Sequence, residues 1–308
     1  MGLRTLGFLI ALAVVSAPAL EAQRGGAPPT PLVREAQQLT RDNNLEAALA
    51  KYRLELQASP DSEAANTGAG IVLDLMGRGA DAKPFFTKAI DVAATPLAKA
   101  NAQRAMAMSY AFDDDCRNAA RLEEQVYDYY VSLKDSYNQG EILNEAARVC
   151  IEAGDFDAAE TLYKRGRDAG MKEPDIAPDR VALWNFRTEH ALARLAARRH
   201  QPAEAKRHVA AAKAVLDGNP EMAKAQAVFF PYLTGYVAFY GGDDKTALAA
   251  LQQANQADPF IQVLIGQTYE KLGDSAHAME FYRKAAATTG HNPPAAFARP
   301  FATKKLKA

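Results

Sequence analysis

Apolar residues recur along this chain at helical spacing, and the recurrences are punctuated at regular intervals. Residues 147–166 read ARVCIEAGDFDAAETLYKRG and residues 265–285 read IGQTYEKLGDSAHAMEFYRKA. In each, a small residue (Ala147, Gly266) precedes a Gly-Asp breaker, an alanine follows twelve positions on (Ala159, Ala278), and an aromatic follows four after that (Tyr163, Tyr282). Neighbours three and four apart share one helix face, and Gly followed by Asp ends one helix and begins the next. Each stretch therefore predicts a helix, a tight turn and a second helix.

The unit repeats. Ala48 and Tyr52 are followed 34 residues later by Ala82 and Phe86. The pattern returns at Ala205, Val209 and Ala212, and at Ala247, Leu251, Ala254 and Pro259. Small residues stand twelve positions ahead of each leading alanine, at Ala36, Gly70, Ala193 and Gly235 as well. Minimal side chains let two antiparallel helices approach closely, and the aromatic one turn on fills the space beside the next pair. A helix pair cannot bury its own apolar face, so a period near 34 predicts stacking into a solenoid.

In these positions the chain resembles the tetratricopeptide repeat family, which has small residues at its eighth and twentieth positions, an aromatic at its twenty-fourth and proline near the end. The best units are residues 29–62, 63–96, 140–172, 228–259 and 259–292; those between fit more loosely, with an insertion around MKEPDIAPD. The bulky residue the family favours at its fourth position is Leu32 or Leu143 here, but Asn66 and Gln262 elsewhere. The resemblance implies an all-α, right-handed superhelical solenoid of about seven helix pairs over residues 29–289, with a concave groove as its working surface.

The ends modify this picture. Arg4, the apolar run Leu6 to Val15 and the small-residue stretch SAPALEA have the form of a signal peptide over residues 1–22, cleaved after Ala19 or Ala22. Residues 23–28 read as a flexible start. Residues 290–308, with three prolines and a basic end, read as an extended tail on the last repeat, with Phe297 and Phe301 as apolar pegs. No later apolar run is long enough to span a bilayer, so the expected location is the bacterial periplasm or the exterior. A net charge of -1 argues against nucleic-acid binding, which needs clustered positive charge.

Catalytic chemistry finds no foothold. There is no glycine-rich phosphate loop, no His-Glu-x-x-His, no nucleophile elbow and no Cys-x-x-Cys. His200 and His208 straddle a proline-containing break at a spacing that suits no metal, and Asp113, Asp114 and Asp115 lack the alternation of a calcium loop and read as a helix start. No enzyme activity, metal or cofactor is expected. Cys116 opens one predicted helix and Cys150 closes the next, so the hairpin brings them side by side; a disulfide there and a simple core position for Cys150 are both open.

Sorting the first helix of each pair by face gives the candidate binding residues. In FFPYLTGYVAFY the packing face takes Pro231, Thr234, Gly235 and Ala238, leaving Phe229, Tyr232, Tyr236 and Tyr240 on an inner stripe. Equivalent offsets give Arg187, His190, Arg194 and Arg198, then Asn144 and Arg148, with Arg104 extending the row. An aromatic ridge beside a basic one suits a protein or peptide partner with an acidic or carboxylate end, since guanidinium groups bind carboxylates bidentately. A small anionic ligand in the same groove is the alternative. A solvated basic face paired with Glu189 and Glu204 is the bland one.

Overall fold

The computed structural model of the protein describes residues 28–307, which form sixteen helices. The expected signal peptide and most of the flexible start lie outside the described residues. The first eight helices are α1 (Pro31–Arg41), α2 (Leu45–Ala58), α3 (Glu63–Leu75), α4 (Gly79–Val92), α5 (Pro96–Phe112), α6 (Cys116–Ser132), α7 (Ser136–Ala153) and α8 (Phe156–Gly170). They continue as α9 (Pro178–Arg198), α10 (Pro202–Asp217), α11 (Pro220–Ala225), α12 (Phe229–Tyr240), α13 (Asp244–Leu251), α14 (Pro259–Lys271), α15 (Ser275–Ala286) and α16 (Pro293–Lys307). Seven antiparallel pairs stack in order, α1/α2 through α9/α10 and then α12/α13 and α14/α15. The six-residue α11 fills the step between the fifth and sixth pairs.

The turns explain the Gly-Asp breakers. Gly154, Gly242 and Gly273 hold φ of 90°, 79° and 83°, a left-handed backbone that glycine adopts without a Cβ penalty. The aspartate that follows caps the next helix: Asp155, Asp243 and Asp274 accept from the backbone N–H of Ala158, Thr246 and His277 at 3.1 Å each. Asp113 to Asp115 do the same work without glycine. Asp114 takes the left-handed position at φ 56°, and Asp115 accepts from Asn118 N–H at 3.0 Å. The acidic triplet is thus a helix start, as expected.

The small residues mark contact points. A Cβ on Gly70 would meet the Phe86 ring at 2.7 Å, and one on Gly266 would meet the Tyr282 ring at 2.7 Å. Those distances are far inside van der Waals contact, so the aromatic packs directly on bare backbone. Ala36, Ala48, Ala82, Ala147, Ala159, Ala193, Ala205, Ala247 and Ala278 are all buried. Cys116 and Cys150 are joined by a disulfide with Cα atoms 4.7 Å apart, linking the start of α6 to the last turns of α7 and so the third pair to the fourth.

The C-terminal segment corrects the sequence reading. Residues 293–307 form a helix, not an extended tail. Asn292 caps it by accepting from Ala295 N–H at 3.1 Å, and Pro293 and Pro294 fall in the first turn, where a missing N–H costs nothing. Phe301 meets Tyr282 edge-on with ring centroids 5.9 Å apart, and Phe297 is partly buried, so both residues serve as pegs. The segment also reaches across to the opposite end of the solenoid. His291 lies between the rings of Phe86 and Phe112, with centroids 5.7 and 5.3 Å away, and bonds the fully buried Asp74 of α3 at 2.9 Å. Arg299 donates to the Leu75 carbonyl at 2.6 Å and to Asn43 at 3.1 Å. The superhelix therefore curls until its last helix touches its first two pairs.

Candidate functional site

The inner layer is built on α7. Glu141, Glu145, Arg148 and Glu152 stand at i, i+4, i+7 and i+11, one stripe of a single helix. That stripe faces arginines on neighbouring helices. Arg104 of α5 donates its Nε to Glu145 at 2.9 Å, Arg187 of α9 pairs with Glu141, and Arg198 donates to Glu152 at 2.9 Å. The hydrogen bond that Arg104 donates to Glu145 pushes the Arg104 pKa upward, against burial. Burial pushes Glu152 above the usual carboxylate range, opposed by the charges of Arg198, Arg194 and Arg148. Three of the five arginines assigned to a partner are thus already matched by carboxylates of the chain itself.

Arg148 and Arg194 are not matched in this way. The carboxylate nearest Arg148 is Asp258, at 3.9 Å, and Arg194 forms no ion pair with any described residue. Arg194 is 6% exposed; its Nη2 donates to the Tyr163 hydroxyl at 2.8 Å, and its guanidinium lies about 6 Å from the ring centres of Tyr163, Tyr232 and Tyr236. Such cation–ring contacts support a desolvated guanidinium. Yet Arg194 Nε and Arg148 Nη2 are buried with no hydrogen-bond partner, as is the Tyr232 hydroxyl. His190, between Phe186 and Tyr232, is held well below its usual pKa by burial and then by the charge of Arg194. Its Nε2 lies 3.3 Å from the Phe229 carbonyl, which can only accept, so Nε2 carries the single proton.

These groups surround a cavity of about 330 Å³ between α7 and α9, which Asn144, Arg148, Arg187, His190, Arg194 and Phe229 help to line. The cavity gathers six of the eleven residues that the sequence placed on the inner face. Arg104 lies outside its lining, beyond Glu145. Arg198 and Tyr240 border a second cavity, of about 410 Å³, closed on its far side by Phe297 and Phe301 of α16.

The tyrosine stripe needs correction. Phe229 is 47% exposed, but Tyr232 and Tyr236 are 5% and 0% exposed, so no partner can lie against them. The superhelix curls tightly enough for α12 to meet α7 and α14: Tyr236 donates to Glu152 at 3.4 Å and stacks on Phe260 at 6.4 Å. Burial, with Glu152 close by, pushes the Tyr240 hydroxyl up to about 12. Sequence reasoning missed Glu141, Glu145 and Glu152, although their spacing was the signal, and it missed Tyr163 and Pro293 at the cavity's edge.

No group of three or more His, Cys, Asp or Glu that could hold a metal occurs among the described residues, and no described helix is long and apolar enough to cross a membrane.

Residues 261–288, most of α14 and all of α15, match the tetratricopeptide repeat. No curated protein matches the chain by sequence. Among solved structures, the chain resembles a tetratricopeptide repeat protein from Parabacteroides merdae, at 14% identity and TM-score 0.50 over 90% of this chain and 96% of that one. It also resembles aspartyl phosphate phosphatase F from Bacillus subtilis, at 8% identity and TM-score 0.55 over 82% and 68%. A third is the apo form of RapI, at 10% identity and TM-score 0.55 over 90% and 97%. At such identities the likeness is one of fold: stacked antiparallel helix pairs of the tetratricopeptide type.

Proposed function

We propose that the protein is a non-catalytic scaffold, exported from a bacterial cytoplasm, that holds a protein or peptide partner on its inner face. The observation that supports this reading is the cavity beside Phe229, where an exposed aromatic borders a pocket that Arg148, Arg187 and Arg194 also line. A solenoid presents such a face preformed, which lowers the ordering cost of an extended ligand. Export is supported by the form of residues 1–22 and by the disulfide, a bond that persists in oxidising compartments. A photocrosslinking residue at position 229 should yield a discrete adduct in the native envelope, and one at exposed Leu54 of α2 should not. Equal adducts from both positions, or none from 229, would overturn the proposal. The alternative, a small anionic ligand in the same cavity, is favoured by the two guanidinium groups that lack close carboxylates.

A further inference from the structure

The geometry points to a receptor for one singly charged oxyanion in the cavity between α7 and α9, held by Arg148 and Arg194. This inference deepens the inner-face reading by naming the chemical group that the face captures. It stands first on two orphaned donors. Arg148 Nη2 and Arg194 Nε are buried without a hydrogen-bond partner, Arg148 Nη2 reaching Asp258 only at the 3.9 Å of a loose ion pair and Arg194 Nε having no carboxylate at all, and both residues line the cavity. Folded proteins seldom leave buried donors unpaired, because each then forfeits its hydration without compensation. The tyrosine cage around Arg194 accounts for the burial of a cation but offers Nε no acceptor.

Charge gives the second observation. Arg148 and Arg194 are close enough that each guanidinium helps to lower the proton affinity of His190, leaving that ring neutral. Around them stand Arg198, Glu152 and Asp258. Glu152 is held by Arg198 at 2.9 Å, and Asp258 is engaged in capping α14, accepting from Phe260 N–H at 2.8 Å. Three guanidinium groups against two carboxylates leave one positive charge in excess, so a single negative charge balances the cluster. Arg104 and Arg187 do not alter that balance, since Glu145 and Glu141 already answer them. The neutral His190 spends its one proton on the Phe229 carbonyl, so Arg148 and Arg194 are the charged donors that remain for the anion, with the Asn144 amide beside them.

The walls define what bears the charge. Phe186, Phe229, Tyr163 and Pro293 border the same space, so the oxyanion should sit on an aromatic or aliphatic stem. Benzoate is the matching probe and benzamide its uncharged counterpart of the same shape. Calorimetry and thermal shift on the full-length mature protein should show benzoate binding and benzamide silent, with benzoate affinity falling at least tenfold in Arg194→Met and in Arg148→Met. Arg148 is partly solvent-exposed, with its side chain 26% accessible, so its variant keeps the test usable if loss of the buried Arg194 unfolds the protein. Inorganic phosphate, and a pair of peptides ending in phenylalanine as free acid or as amide, separate a free anion from a chain terminus. A response to any of these oxyanions that both variants lose supports the site and assigns its source. No response to any of them, an equal response to benzamide, or binding retained by both variants overturns the inference. Adducts that persist at position 229 alongside that failure would leave the partner surface standing without its anion pocket.

Discussion

The two seams of this solenoid are built from opposite materials. Where neighbouring helices pack in the stack, within a pair as Phe86 of α4 on Gly70 of α3 or between pairs as Trp184 of α9 on Gly140 and Gly170, the contact is dry, ring against bare backbone. Between α7 and the helices it faces across the inside of the curl, the contact is a ladder of arginines and glutamates roofed by tyrosines. The outer seam tolerates almost no change of volume, because close-packed interiors have no slack. The inner seam depends on charges being matched one for one, and its stability is lowest where they are not. Shape sets the fold and charge lines the inner cavity.

Substitutions test that division, and the largest effects belong to the dry seam. Trp184 of α9 is fully buried against Gly140 and Gly170, so Trp184→Ala should cost about 3–5 kcal/mol in a denaturant titration. Replacing both cysteines with alanine should cost about 2–4 kcal/mol by thermal melting, the worth of cross-linking a segment with a sequence separation of 34. Gly266→Val forces a side chain into the Tyr282 ring and should cost about 1–3 kcal/mol by the same measurement.

Smaller effects belong to the charged layer. Glu123 of α6 is fully buried with neither carboxylate oxygen bonded, and burial, reinforced by Glu145, raises its pKa well above the usual range. The folded state therefore keeps a proton that the unfolded chain releases, which lowers stability as pH rises above about 4.5, the ordinary glutamate value. Glu123→Gln should stabilise the protein by about 1 kcal/mol at pH 7, and that gain should vanish as pH falls through 4.5. A gain that persisted at acid pH would show that this carboxylate is not the cause. The smallest effect is expected from replacing Arg104 and Glu145 together by methionine, since the arginine side chain is half exposed; about 0–1 kcal/mol is expected.

The dry seam was legible in the sequence because closest approach permits only Gly or Ala, and a tight turn only Gly or a tolerant residue followed by a cap. Gly70, Gly266, Asp155 and Asp274 each announce one such demand. The cysteine bridge was legible as one of two alternatives, since hairpin symmetry brings Cys116 and Cys150 together but does not bond them. The inner seam was not legible in the same way. Whether Tyr236 meets solvent or Phe260 depends on the curvature accumulated over seven pairs, and no single residue encodes that sum. The last helix was hidden for another reason. Paired prolines read as breakers, yet in a first helical turn they are tolerated, and packing on α14 and α15 settles the outcome.

The clasp of His291 on Asp74 changes what kind of object the chain is. An open stack of repeats behaves as a one-dimensional array whose ends fray independently, because each unit touches only its neighbours. Here a buried imidazole from beyond the last pair rests between Phe86 and Phe112, so the terminal units lend each other their protection. Loosening either end releases both. A molecule wired head to tail in this manner should melt as one body, with the amides of its first and last pairs exchanging together.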